Sequence, residues 1–267
     1  MRMHDQGLNK SFKNLIFNPS PIPHFKFHML SGCNRVFGAV FTRHGGASKG
    51  PYTQLNVSYN VGDDPGSVAA NLSKIKSVIG AQWIATMTQV HGDNIFSLRR
   101  DNLKHETVLD GYDALVTDVP GVALIVKLAD CQGVIFFCEK KNVIAIAHCG
   151  WRGNVAGILK KVVGVMEREY GCDPGGLKVA ISPSLGPCCG EFKGYEHIFP
   201  LEFSRFMVRE NYFDLWAISR DQLVDAGVKR QNIETAEVCT RCHADLFFSY
   251  RASKVTGRFA MAAMLID

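Results

Sequence analysis

A layered α/β or α+β domain is what this sequence predicts, on three observations. Short runs rich in β-branched residues recur along the chain, at 36–42, 83–90, 114–117, 122–128, 134–137, 143–147, 177–181 and 258–266. Segments with apolar residues at helical spacing lie among these runs rather than in one block. No Pro/Gly/Ser-rich linker or run of like charge divides the chain, so its 267 residues, 46% of them hydrophobic, read as one domain with a substantial core.

The elements follow in order. Residues 1–30 carry no clear period and read as an N-terminal extension, leaving 31–267 as the domain. A strand over 36–42 runs into a Gly-rich turn at 44–50. Asp64 and Pro65 start a helix, Val68, Leu72, Ile75, Val78 and Ile79 recur at its spacing, and Gly80 ends it. Strands at 83–90, 114–117, 122–128, 134–137 and 143–147 come next. A second long helix is expected over 154–170, with Ile158, Val162 and Val165 on one face and Gly171 as its stop. A strand at 177–181 precedes helices at 201–209 and 218–226, Gly227 stopping the latter, and a further helix is expected ahead of Phe247. A strand over 258–266 closes the domain.

Several function classes lose their usual signal. The net charge of +5 is mild and both signs are interspersed, so Arg99-Arg100 and Lys140-Lys141 read as solvated pairs and no nucleic acid is expected as a partner. Lys127 and Asp130 close the longest apolar run well short of the roughly 20 residues that span a bilayer, so no membrane partner is expected. Neither a GxGxxG nor a GxxxxGK[ST] phosphate loop is present. The start of the sequence lacks the apolar core of a secretory signal and the cysteines number nine, which points to reduced thiols and a cytoplasmic setting.

Chemistry concentrates where strands end. His91 follows the run 84–90, Cys131 follows 122–126, and His148 follows 143–147. Two imidazoles and a thiolate brought together make a three-ligand zinc site with a fourth position open to water or substrate, whereas a histidine or cysteine at a strand end is otherwise a capped or buried residue. Arg43 sits where a strand meets Gly45-Gly46, so its guanidinium either holds phosphate or carboxylate oxygens or bonds local carbonyls; His44 and Ser48 share that turn. Gly150 and Gly153 bracket Trp151-Arg152 ahead of a helix, with Trp151 read as packing and Arg152 as an anion contact or an ion-pair partner beside the site. Asp130 is read as orienting Cys131 rather than binding metal itself. Cys188-Cys189 read as buried thiols. Cys239-Thr240-Arg241-Cys242-His243 has the C-x-x-C-H spacing of haem attachment, a second metal or a redox pair, and no export signal supports the first.

The words around these residues resemble the YfiH-like or laccase-domain family, whose members are also described as multicopper polyphenol oxidase-like proteins and peptidoglycan editing factors. The resemblance rests on Thr42-Arg43-His44-Gly45-Gly46-Ala47-Ser48, Leu55-Asn56, Val61-Gly62-Asp63-Asp64, Gln89-Val90-His91-Gly92, Asp113-Ala114-Leu115-Val116-Thr117, Ala129-Asp130-Cys131, Ala147-His148-Cys149-Gly150-Trp151-Arg152-Gly153, Pro183-Ser184-Leu185-Gly186-Pro187-Cys188-Cys189, Phe248-Ser249-Tyr250-Arg251 and Thr256-Gly257-Arg258. It implies a single three-layer domain with a mixed sheet flanked by helices, related to the cytotoxic necrotizing factor catalytic domain. It implies that His91, Cys131 and His148 are the catalytic metal ligands, with zinc as the metal and copper as an alternative. The activities implied are purine nucleoside phosphorolysis of adenosine, inosine and methylthioadenosine, and adenosine deamination. The partners are then a small-molecule nucleoside and phosphate, for which Arg43, Ser48, Arg152 and Arg251 are candidate contacts.

Two positions depart from the family pattern. Ala252 stands where a second arginine follows Arg251, and Gly133 where a proline is common. The same residues admit other readings. Cys131 as a nucleophile with His148 or His91 as base would make a cysteine amidohydrolase, the chemistry of a factor that removes misincorporated L-serine from peptidoglycan precursors. Copper-dependent polyphenol oxidation requires several clustered ligand sets, and one three-ligand set is evident. A non-enzymatic zinc protein would close the site with a fourth ligand such as Cys149, which strand parity sends to the opposite face.

Overall fold

Alternation along the strands sorts the apolar side chains into separate buried layers, and that sorting generates the architecture. The computed structural model describes residues 11–103 and 106–266. In chain order the elements are β1 (Ile16–Asn18), β2 (His24–Lys26), α1 (His28–Ser31), β3 (Val36–Phe41), α2 (Pro65–Ile79), β4 (Trp83–Thr88), β5 (Ile95–Leu98), β6 (Glu106–Asp110), β7 (Ala114–Thr117), β8 (Val122–Leu128), β9 (Gln132–Cys138), β10 (Val143–Cys149), α3 (Trp151–Ala156), α4 (Ile158–Tyr170), β11 (Lys178–Ile181), β12 (Met207–Arg209), β13 (Tyr212–Phe213), α5 (Leu215–Asp225), β14 (Ile233–Thr235) and β15 (Phe259–Leu265).

The long strands fall into two mixed sheets, a seven-stranded one ordered β1-β2-β3-β15-β8-β4-β6 and a six-stranded one ordered β14-β11-β9-β10-β7-β5. On β8, Leu124, Val126 and Leu128 pack toward Ile135, Phe137, Ile144 and Ile146 of the second sheet. Ala123 and Ile125, of opposite parity, meet Val68, Leu72, Ile75 and Ile79 of α2. On β10, Ala145, Ala147 and Cys149 face Ile158, Leu159, Val162 and Met166 of α4. The mixed α/β class is therefore as expected, with the strands divided between two facing sheets and helices on both outer sides. Strands buried on both faces read as unbroken apolar runs, which hides the division from sequence.

The α2 boundaries match the expectation: Asp64 Oδ2 accepts from Ser67 N at 2.8 Å, and Gly80 closes the helix at φ 73°. Four expectations are corrected. Residues 16–31 are not an extension, because β1 and β2 pair at the first sheet's end, α1 packs against β3 and β11, and the segment buries Phe25, Phe27 and Leu30; residues 1–10 lie outside the described ones. The helix expected from 154 starts at Trp151 and breaks at Gly157, whose φ of 71° ends α3 and starts α4. Residues 201–206 form a 3₁₀ turn followed by β12, since Phe203 packs into an aromatic cluster with Phe192, Phe199 and Phe213 that overrides helical propensity. Turns, not a helix, precede Phe247.

One topological feature positions the site. The chain crosses from the first sheet to the second three times at one end of the sandwich, between β4 and β5, β6 and β7, and β8 and β9.

Candidate metal centre and its cavity

Each crossing contributes a side chain to the candidate site. His91 lies on the first, Asp113 on the second and Cys131 on the third. His148 sits near the end of β10, where its parity with Ile144 and Ile146 turns it away from α4 and toward the crossings. The ligand atoms of His91, Cys131 and His148 lie within 4.8 Å of one another, and the two imidazoles meet edge to face with ring centroids 4.8 Å apart.

Asp113 organises this set. Its buried carboxylate accepts from His91 N at 3.0 Å and His148 Nδ1 at 2.8 Å through Oδ1, and from Val90 N at 3.1 Å and Gly92 N at 2.7 Å through Oδ2. Three backbone donors in succession hold the 90–92 turn, in which His91 takes the left-handed φ of 61°. The bond from Nδ1 orients the His148 ring and leaves Nε2 as its free ligand atom. Gln89 anchors the same turn from the other side, accepting from Lys127 N at 2.9 Å and donating to Lys127 O at 3.0 Å. Gly150 is required for space: a Cβ there would lie 2.8 Å from Cys131 Sγ.

The electrostatics follow from this packing. Burial pushes the Cys131 thiol up, but His148 and His91 outweigh it and bring it down to about 6. Burial pushes His148 down, and the Cys131 thiolate and Asp113 together raise it to about 9. Burial likewise opposes ionisation of Asp113, yet the bonds from His148, Gly92 and Val90 keep its carboxyl below the ordinary range. Cys149 belongs to a different environment. Burial pushes its thiol up, and Sγ donates to Asn154 Oδ1 at 3.3 Å on the α4 side, so it does not supply a fourth ligand.

The three candidate ligand side chains open onto a cavity of about 530 Å³. Arg152, Arg251, Arg258 and Lys127 bring positive charge to its lining, and Trp151, Phe192, Leu185 and Tyr250 supply apolar and aromatic wall. Arg251 lies over the Phe192 ring at 5.2 Å and Arg152 over Trp151 at 4.3 Å. Trp151 both packs against Phe199 and faces the cavity. Asp130 lines the cavity too, in a left-handed conformation of φ 89°, but its carboxylate is engaged: Oδ1 accepts from Thr240 Oγ1 at 2.6 Å and Oδ2 from Arg251 N at 2.7 Å. It thus ties the residue before Cys131 to the loop that carries Arg251.

Two expected contacts lie elsewhere. Arg43 is absent from the lining, since its guanidinium donates to Thr53 O at 2.9 Å and Ala244 O at 2.8 Å and stacks on Phe248 at 4.4 Å. Ser48 is buried and accepts from Asn71 Nδ2 at 2.9 Å, holding the turn to α2. Both bond the protein itself. Sequence reasoning passed over Asp113, Lys127 and Arg258 as site residues. Asp113 and Arg258 stood in the matched words but away from the reactive positions, and a lysine inside the apolar run of β8 was the one local signal for Lys127. Cys188 is exposed and Cys189 half-buried, contrary to the buried thiols expected, and with Cys239 and Cys242 they form a second cluster.

Comparison with known proteins places this geometry. Residues 37–266 match the family model described as multi-copper polyphenol oxidoreductase laccase. The chain belongs to that family. Among the laccase-family relatives, the purine nucleoside phosphorylase YlmD of Geobacillus stearothermophilus is 32% identical over 81% of this chain and 85% of its own length. A purine nucleoside phosphorylase of Bacteroides thetaiotaomicron is 30% identical over 90% of this chain and 95% of its own. Crystal structures of YfiH from Bacillus licheniformis and YlmD from G. stearothermophilus both superpose with a TM-score of 0.84, at 26% and 29% identity, covering 93% and 95% of this chain and 98% and 100% of theirs. This is the YfiH fold, in an enzyme family whose relatives are named for action on purine nucleosides.

Proposed function

We propose that this chain is a zinc-dependent purine nucleoside phosphorylase, acting on adenosine, inosine and methylthioadenosine, with deamination of adenosine as a second activity. The observation that carries the reading is the open three-ligand set facing a cavity with cationic and aromatic walls. Two imidazoles and a thiolate suit zinc, and three protein ligands leave a coordination position for a reacting group. His91, Cys131 and His148 would hold the ion, which when bound polarises an oxygen ligand or lowers the pKa of a bound water. The names of the relatives supply the substrate class.

The chain's own residues do the rest. Arg152, Arg251 and Arg258 bind and orient the phosphate, and Trp151, Phe192 and Tyr250 give the purine a surface to stack on. An oxygen of hydrogen phosphate then bonds to C1′ of the ribose while the C1′–N9 bond breaks, its electron pair leaving with the purine, which takes up the proton that the hydrogen phosphate gives up. Asp113 keeps His148 in the orientation that exposes Nε2 throughout. Among the described residues the other thiol-rich cluster is all sulfur with no imidazole, which does not resemble the ligand sets of multicopper oxidation. Kinetics in varied phosphate test the assignment: Arg251→Ala and Arg152→Ala are expected to raise KM for phosphate with a smaller effect on KM for inosine. An unchanged phosphate KM in both variants removes the phosphate site from this cavity.

A second reading rests on the charge state of the metal-free set. With Cys131 near 6 and His148 near 9, the two stand as thiolate and imidazolium at neutral pH, the pairing of a cysteine amidohydrolase. Metal content separates the two, because a thiolate bound to zinc is a poor nucleophile. Hydrolysis of L-serine-containing peptidoglycan precursors by the zinc-free protein, with no phosphorolysis by the zinc-loaded one, would favour the amidohydrolase.

A further inference from the structure

Four cysteines that the proposed reaction does not use meet at the surface beside the cavity. The Sγ atoms of Cys188, Cys189, Cys239 and Cys242 all lie within 4.8 Å of one another, with Cys242 Sγ at 3.6 Å from both Cys188 Sγ and Cys189 Sγ. All nine cysteines are free thiols, so these contacts are not disulfides. A tetrahedral site with Zn–S bonds of about 2.3 Å has its sulfurs about 3.8 Å apart, a spacing that the two 3.6 Å contacts already match and that the others reach with shifts of about 1 Å or less. Weak S–H···S contacts alone give four thiols little reason to gather where two are exposed and a third is half-buried. A shared cation gives one.

The backbone around the cluster is built for it. Cys188-Cys189 and Cys239-x-x-Cys242 come from two loops that are joined directly: Ser184 N donates to Val238 O at 3.1 Å and Thr240 N to Ser184 O at 3.0 Å. Gly186 is packed so closely that a Cβ would lie 3.0 Å from Cys239 Cβ and 2.8 Å from Trp216. His243, last in the C-x-x-C-H word, turns away and packs its ring on Phe12 at 5.2 Å.

We propose that Cys188, Cys189, Cys239 and Cys242 bind a structural zinc ion, distinct from the His91–Cys131–His148 set, that clamps the two loops flanking the cavity. The first loop carries Leu185 and Phe192 to the lining and the second carries Tyr250 and Arg251. Both reach Asp130, the first through Leu185 N donating to Asp130 O at 2.8 Å and the second through Thr240 Oγ1 and Arg251 N. Four sulfur ligands close the coordination shell, so this ion holds the loops that present Arg251 and the residue before Cys131, and takes no substrate. Binding releases the thiol protons and involves no change in oxidation state.

The test is metal analysis of the full-length protein purified under reducing conditions, wild type beside Cys131→Ala and Cys239→Ser/Cys242→Ser, with zinc X-ray absorption on Cys131→Ala. Two zinc ions per chain are expected in the wild type and one in each variant, the ion left in Cys131→Ala having four sulfur neighbours at about 2.3 Å. A Cys131→Ala protein without zinc, or with zinc bound by nitrogen or oxygen, overturns the proposal, as does iron in its place. If the double variant does not fold, intact-mass analysis of the wild type decides: two zinc ions per chain with four free thiols in the cluster support the site, and a disulfide between the loops refutes it. Wild type holding only the four-sulfur ion would leave this site standing while removing the one proposed for catalysis.

Discussion

Replacing Asp113 by asparagine tests how the site is held. The carboxylate receives four hydrogen bonds, two on each oxygen, and all its partners are donors. An amide in the same place must turn its NH₂ toward one pair. Facing Val90 N and Gly92 N, it orphans both amides; facing His91 N and His148 Nδ1, it orphans one amide and drives the His148 proton to Nε2, the ligand atom. These backbone donors are only part-buried, so each one left unpaired costs the low end of the usual penalty, about 1 kcal/mol, and the variant should lose about 1–2 kcal/mol of stability. At about 2–4 °C per kcal/mol for a chain of this size, the melting temperature should fall by roughly 2–8 °C. Loss of the partner that orients a metal-bound histidine weakens affinity by about 10–100-fold, or about 1.4–2.7 kcal/mol. Thermal melts and chelator competition for zinc measure the two effects separately. Zinc affinity within about twofold of wild type, with an unchanged melting temperature, would refute the role given to Asp113.

Gly150→Ala should displace Cys131 Sγ, since the added carbon falls 2.8 Å from it, and abolish zinc binding at the catalytic set while far-ultraviolet circular dichroism stays unchanged, because the φ of −84° suits alanine. Alkylation of Cys131 in zinc-free protein, followed by mass spectrometry of the labelled peptide, should rise with pH around a midpoint near 6 rather than the ordinary 9.0; a midpoint near 9 contradicts the paired charges. Burial holds Lys127 down to about 8 from 10.5, so between those values the unfolded chain binds a proton that the fold does not, and stability rises with pH. Urea unfolding at pH 8 and pH 10 should show that increment shrink in Lys127→Met relative to wild type.

Legibility in the sequence followed the range of the interactions. The helix from Pro65 to Ile79 was readable to the residue because Asp64 and Gly80 cap it locally. That His91, Cys131 and His148 come together was readable from reactive side chains at strand ends only with the resemblance of the flanking words to the family, and the parity of β10 separated His148 from Cys149. Asp113 was not, as its importance lies in donors from residues some 20 positions before it and a ring 35 positions after it. Arg43 looked like an anion ligand from its Gly-Gly turn, but its partners include a carbonyl 201 residues away. The four-cysteine cluster was half visible: C-x-x-C is a familiar ligand pair, whereas adjacent Cys188 and Cys189 gain meaning only once the two loops are joined. The pairing of two sheets was hidden because a strand buried on both faces shows no alternation.

Release of free purine from inosine by the zinc-loaded protein, followed by liquid chromatography with and without phosphate and compared with Cys131→Ala, tests the central claim most directly. Free base and ribose 1-phosphate formed by wild type only when phosphate is present, and by Cys131→Ala in neither case, is the expected result. Equal base release by Cys131→Ala, or no release by zinc-loaded wild type, would contradict zinc-dependent phosphorolysis at the His91–Cys131–His148 centre.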